Sequence, residues 1–179
     1  METYFVTSSE DKVREAESIL GVKLKRANLD LKEIQSLSVE EVATDKAKRA
    51  FDIIRKPVIV EDTGLYIEAL NGFPGALIKW VLKTIGNEGL CKLVGENRKA
   101  LAKTCICFFD GKKLQSFIGE LEGIIAEKPR GERGFGWDPI FIPKGYDKTF
   151  AELSEEEKNN ISMRKIAFLK LKEFLLREK

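Results

Sequence analysis

Apolar and polar positions along the chain switch repeatedly between a period of two and a period near three and a half, which marks out a succession of strands and helices. Residues 3–7 are β-branched and aromatic, which predicts a first strand. The strand breaks into Ser8, Ser9, Glu10 and Asp11, the composition of a helix cap. Residues 12–20 follow, with Val13, Ala16, Ile19 and Leu20 on one helical face. Residues 22–26 read as a short second strand, and residues 29–35 as an acidic connection. Val39–Ile54 carries Val42, Ala43, Ala47, Ala50, Phe51 and Ile54 at helical spacing and stops at Lys56-Pro57.

Residues 58–60 form a continuous apolar run, expected as a buried strand, with Glu61, Asp62, Thr63 and Gly64 at its carboxyl end. Residues 65–70 alternate as another strand, and Asn71-Gly72-Phe73-Pro74-Gly75 is a turn. Helices are expected over 77–85 and 88–94. Long strands are expected over 102–109 and 113–125, joined by a hairpin at Asp110-Gly111. Residues 140–142 suit a strand near a sheet edge, because Pro143 stops them. The chain ends in a helix over 161–177, with Ala167, Leu171, Phe174 and Leu175 as its buried stripe. No repeat, low-complexity tract or linker interrupts this pattern, so residues 1–179 are expected to form a single α/β unit.

Composition narrows the chemistry more than the fold. A hydrophobic fraction of 43% and a charged fraction of 34% belong to a soluble globular chain. A net charge of +2 gives no support for nucleic-acid binding. The opening residues lack the regions of a signal peptide and no apolar run is long enough for a bilayer, so a cytoplasmic location without membrane contact is expected. Three cysteines do not make a disulfide framework; Cys105 and Cys107 share one strand face and read as buried small residues. The chain has no histidine at all. Histidine-dependent nucleophiles, histidine metal ligands and the usual general base are thereby excluded, which leaves carboxylates, lysines and a hard cation. That set points to phosphoryl transfer or hydrolysis.

Three places concentrate such groups. The strand-to-helix turn at residues 7–12 is a favourable setting for phosphate, because helix-start amides point outward there. Glu61 and Asp62 stand beyond a strand end, where open α/β sheets take their ligands. Residues 134–164 combine Gly134-Phe135-Gly136-Trp137-Asp138, the run 148–153, and Lys158, Ser162 and Arg164 at a helix head. Aromatic faces with a carboxylate and several cations suit a nucleotide. No P-loop, dinucleotide fingerprint or Nudix helix is present.

Residues 134–141, 149–152 and 157–164 resemble the signature of the inosine triphosphate pyrophosphatase family, which hydrolyses abnormal purine nucleoside triphosphates. The likeness continues through the family's Thr-x-Asn-x-x-Lys turn, where Thr7, Lys12 and a following Glu15 match while Ser9 replaces asparagine. It extends to the acidic segment with Glu33, to Lys46, to Glu61 and Asp62, and to the Gly72–Gly75 turn. Ile78-Lys79-Trp80 looks like the eukaryotic branch, and Ser162-Met163-Arg164 departs from the family's Ser-His-Arg. The resemblance implies a long, mixed, twisted sheet flanked by helices, two lobes around a central cleft, and a homodimer.

It further implies hydrolysis of ITP, dITP or XTP to monophosphate and pyrophosphate with Mg²⁺. Glu33 and Asp62 would lie nearest the metal, and Asp62 or Glu61 would act on the attacking water. Lys12 and Lys46 would hold phosphates, with Thr7 and Ser9 in the adjoining loop. Phe135 or Trp137 would stack on the base, Asp138 and Arg164 would meet its polar edge, and Lys158 and Ser162 would stand nearby. The departures at Ser9 and Met163 favour the rival of a diverged, non-catalytic nucleotide-binding protein; Maf-like nucleotide pyrophosphatases fit the motifs less well.

Overall fold

The computed structural model describes residues 2–21 and 23–177. Strand β1 (Tyr4–Val6) leads into helix α1 (Glu10–Leu20), whose start is capped by the Ser9 hydroxyl accepting the Lys12 amide. Strand β2 (Lys25–Ala27) precedes α2 (Val39–Ile54), capped in the same way by Ser38. Then come β3 (Val58–Ile67), a 3-10 turn (Glu68–Leu70), β4 (Pro74–Gly75), α3 (Ile78–Thr84) and α4 (Gly86–Leu93). Strands β5 (Lys99–Phe109) and β6 (Leu114–Ile125) form the hairpin, followed by a 3-10 turn (Asp138–Ile140), β7 (Phe141–Pro143), α5 (Glu155–Ile161) and α6 (Met163–Arg177).

These strands make one mixed sheet in the order β2-β1-β3-β5-β6-β7, with β4 paired to β3. Strand β1 runs parallel to β2 and β3, and the remaining pairs are antiparallel. The hairpin and the edge strand at Pro143 stand where expected, and Cys105 and Cys107 are buried on one face. Four expectations need correction. Residues 58–67 are one continuous strand, so Glu61 and Asp62 lie inside β3, at the point where its parallel neighbour β1 has ended. The helix expected over 161–177 begins at Met163, after an unexpected separate helix α5 that stops before Ser162, and residues 68–70 are a 3-10 turn rather than strand. The second strand begins at Lys25, and Val22 lies outside the described residues.

Alternation along the long strands sorts the core into two faces. Helix α2 covers one, packing Val39, Ala43, Ala47 and Ala50 on Val58, Val60, Cys105 and Cys107. On the other face α1 and α6 cover Phe5, Ile59, Ile106 and Phe108, while Leu65, Ile67, Ala100 and Ala102 form a second apolar cluster with α3 and α4. Thr63 and Thr104, paired in register, lie between these two clusters. A polar band therefore crosses an otherwise apolar face.

Arg98 ties the lower cluster together. It donates from Nε to the Ile125 carbonyl at 2.6 Å, from Nη1 to Val94 at 2.8 Å and from Nη2 to Cys91 at 3.0 Å. Two of those carbonyls belong to the end of α4, which has no intrahelical donors left to satisfy them. Arg98→Ala should cost about 2 kcal/mol of stability. The expected readout is a lower urea midpoint with an unchanged slope; an unmoved midpoint would remove Arg98 from the fold's support.

Candidate active site

Because Glu61 and Asp62 are neighbours in one strand, their side chains leave on opposite faces and meet different charges. Glu61 points to the α1/α6 face. Arg164 grips it bidentately, Nε to Oε2 at 2.9 Å and Nη2 to Oε1 at 3.0 Å. The Thr63 hydroxyl donates to Oε1 at 3.0 Å, and Lys12 Nζ stands 3.2 Å from the same oxygen. Arg164 Nη1 also donates to Glu15, which receives Lys158 Nζ at 3.0 Å. Lys158 donates on to Asp138 at 2.7 Å, and the same Asp138 oxygen accepts the Phe135 amide at 3.0 Å. A chain of alternating charge thus runs from the partly exposed Lys12 through the buried Glu61, Arg164, Glu15, Lys158 and Asp138.

Small residues make room for it. Gly119 of β6 pairs in register with Thr104, and Thr104 with Thr63. A Cβ at Gly119 would lie 1.8 Å from the Met163 carbonyl oxygen, so only glycine lets α6 begin directly over the sheet and drop Arg164 onto Glu61. Gly134, at φ +74°, has the same function for Asp138, whose carboxylate would lie 1.9 Å from a Cβ there. Ser162 is fully buried at the break between α5 and α6, where its hydroxyl accepts the Lys165 amide at 3.2 Å.

Asp62 points to the α2 face. Lys46 Nζ lies 2.9 Å from Glu33 Oε1, 3.8 Å from Asp62 Oδ1 and 3.3 Å from the Glu61 carbonyl oxygen, to which it donates. Asp62 Oδ2 is buried with no hydrogen-bond partner among the described residues. Such an orphaned anionic oxygen suits a hard cation, and Glu33 supplies a second carboxylate. Among the described residues no group of three or more acidic or thiol ligands assembles. Two carboxylates with waters and phosphate oxygens are, however, the set that Mg²⁺ commonly takes.

Residues 3–174 match the model of the Ham1 family. The chain belongs to that family. A dITP/XTP pyrophosphatase of Methanopyrus kandleri is 50% identical over 170 residues, spanning 92% of this chain and 90% of that protein. An inosine triphosphate pyrophosphatase of Yarrowia lipolytica is 47% identical over 182 residues, spanning 98% of this chain and 96% of its own. The solved structure of a HAM1 protein from Coxiella burnetii superposes with a TM-score of 0.85 at 27% identity, covering 99% of this chain and 100% of that one.

In this Ham1 chain the expected residues gather on two sides of β3: Lys12, Glu61, Asp138, Lys158 and Arg164 on one, Glu33, Lys46 and Asp62 on the other. Thr7 supports the first turn, its hydroxyl accepting the Ser9 amide at 3.1 Å. Of the two aromatics, Trp137 is 7% exposed and packs on Phe141 and Phe150, so it belongs to the core. Phe135 is the half-buried one, its ring centroid 4.5 Å from Lys158 Nζ and 5.5 Å from the Arg164 guanidinium carbon. The residue that sequence reasoning left without a role is Glu15. Its signal was present: a carboxylate beside Ala16 on the buried side of α1, where an unpaired charge does not stay.

The two neighbouring acids hold protons very differently. Burial alone would raise the Glu61 carboxyl, but the Arg164 and Lys12 charges outweigh it and hold it well below the usual range. Burial pushes the Asp62 carboxyl up to about 7, against the pull of Lys46 and Lys12. Asp138 is also raised by burial, despite Lys158. Glu33 is lowered, because Lys46 outweighs its burial. For Asp62 the folded state holds a proton that the unfolded chain releases above its ordinary 3.8, so stability falls as pH rises towards about 7 and stays low above it. In metal-free buffer, Asp62→Asn should therefore gain stability over the unaltered protein at pH 8, by up to about 4 kcal/mol. The two proteins should unfold alike near pH 4. A variant less stable at pH 8 would show that Asp62 is paired rather than strained.

Proposed function

We propose that this protein hydrolyses the α–β anhydride of ITP, dITP and XTP, giving the nucleoside monophosphate and pyrophosphate. The observation that carries the proposal is Asp62: a buried carboxylate with one oxygen that has no hydrogen-bond partner among the described residues, beside Lys46. Such an oxygen is placed to orient an attacking water and to accept its proton. Glu61 has no such oxygen, since Arg164, Lys12 and Thr63 engage both its oxygens. Relatives at 50% and 47% identity named for dITP/XTP and inosine triphosphate hydrolysis support the same reaction.

Lys12 and Lys46 would hold the triphosphate, with Thr7 and Ser9 in the turn at the start of α1. As a water oxygen bonds to phosphorus, Asp62 accepts its proton and the bridging oxygen leaves with pyrophosphate, whose growing charge the two ammonium groups meet. Glu33 and Asp62 would hold Mg²⁺, which when bound would neutralise charge on the phosphate oxygens. The base would stack on Phe135, with Asp138 and Arg164 towards its 6-oxo edge and Lys158 and Ser162 nearby. Adenine presents a donor at that position instead, and a mismatch of this kind is worth up to about 10⁴ in rate. The setting would be the cytoplasmic nucleotide pool, with the chain acting as a homodimer. No helix among the described residues is long and apolar enough to cross a membrane.

The test is pyrophosphate release from ITP and ATP with Mg²⁺. ITP should be favoured by about 10² or more, and Asp62→Asn should lose about 10²-fold or more on ITP. No release from ITP by the unaltered protein would overturn the proposal. Met163 occupies the family's histidine position, is 3% exposed and packs in the apolar cluster of Trp137 and Ile140. Since methionine serves there as packing, Met163→His should change ITP turnover by about tenfold or less, the scale of one hydrogen bond.

A further inference from the structure

Lys46 stands where two negative charges would otherwise face each other. Its ammonium lies between Glu33, at 2.9 Å, and Asp62, at 3.8 Å, and it is anchored there by donation to the Glu61 carbonyl at 3.3 Å. The Lys46 and Asp62 side chains are 14% and 12% exposed, so water screens that pair little, while Glu33, at 39%, forms the open side of the arrangement. These are the same two carboxylates that the proposed function gives to a divalent cation. With both carboxylates ionised, two carboxylates and one ammonium leave the pocket singly negative, whereas two carboxylates and a divalent ion leave it neutral. Both cations cannot lie between the two carboxylates at once without severe repulsion at this range.

We propose that Lys46 is a tethered cation that fills the metal position of the nucleotide-free protein and must be displaced by the incoming ion, an inference that rests on the reading of Glu33 and Asp62 as metal-holding residues. Displaced, the ammonium needs a new anion, and the triphosphate supplies it. Metal ion and nucleotide then bind as a pair: each strengthens the other by the same factor, because the coupling is reciprocal. The free protein is correspondingly a poor chelator of divalent ions. Lys46 so placed also keeps the two carboxylates positioned before substrate arrives, at no cost of reorganising the pocket around a vacancy.

The experiment is direct binding of Mn²⁺ to the nucleotide-free full-length protein, followed by paramagnetic resonance of the free ion, with no turnover in the readout. Lys46→Met keeps the length of the side chain and removes its charge; it should bind Mn²⁺ at least about tenfold more tightly than the unaltered protein. Lys46→Arg, which keeps the charge, should bind it as weakly as before. Lys12→Met is the control for mere loss of a nearby positive charge, since Lys12 contacts Glu61 rather than the two metal-holding carboxylates. It should tighten binding by less than about threefold.

Equal tightening by Lys12→Met and Lys46→Met would reduce the effect to general electrostatics and overturn the inference, as would unchanged or weaker binding in Lys46→Met. If Lys46→Met does not fold in the absence of metal, its recovery of a native spectrum on adding Mn²⁺ supports displacement, and failure to recover overturns it. Because no nucleotide is hydrolysed, a protein inactive on ITP can still pass this test, and an active one can fail it.

Discussion

A guanidinium at 2% exposure is expensive to keep, and the position of Arg164 organises much of the molecule. Removing such an ion from water costs several kcal/mol, which only close counter-charges and near-ideal geometry offset. The structure supplies both: a bidentate carboxylate from β3 and a second carboxylate from α1. Each requirement propagates. Glu15 must lie on the inner side of α1, so α1 must pack beside α6. Helix α6 must begin over β6, so Gly119 cannot carry a side chain. Helix α5 must stop one residue earlier, so that Ser162 turns the chain and Lys158 can close the link between Glu15 and Asp138. The two apolar clusters on that face are held apart by this charged layer.

On the other face the constraint is relaxed, and the chemistry follows from the relaxation. Glu61 is surrounded by permanent and near-permanent cations and stays ionised. Asp62, one residue on, has a lysine that it shares with Glu33 and one oxygen with no hydrogen-bond partner among the described residues. A strand's period of two is thus enough to separate a fully paired carboxylate from one with an unpartnered oxygen among the described residues. Pairs of acids whose environments drive their proton affinities apart are where acid–base roles divide.

The sequence made the order of elements legible, because α2, β5, β6 and the hairpin between them have unmixed periodicity and clear turn residues. Ser9 was legible as a cap for the same local reason. It hid what depends on partners far along the chain. Residues 61–64 looked like a strand end, since acids and glycine disfavour strands when taken locally; the strand continues because Arg164, Lys12 and Thr104 satisfy that stretch from elsewhere. Helix α5 was hidden because residues 155–160 are all polar and carry no apolar stripe. Trp137 and Phe135 were equivalent as aromatic faces in sequence, and only the packing of Phe141 and Phe150 separated them. Resemblance located the charged residues, but only geometry distributed them between the two faces of β3.

The charged layer also responds to heat in its own way. Glu15, Glu61, Asp138, Lys158 and Arg164 are all buried, so folding strips water from five ionisable groups at once. The hydration that these groups forgo is ordered water, and its free-energy value declines as temperature rises, whereas the attraction between the fixed charges is retained. A layer that weighs against the folded state in the cold therefore weighs less against it when hot. The same residues flatten the loss of stability on warming, and a purely apolar replacement of the layer would give up that behaviour along with the candidate site.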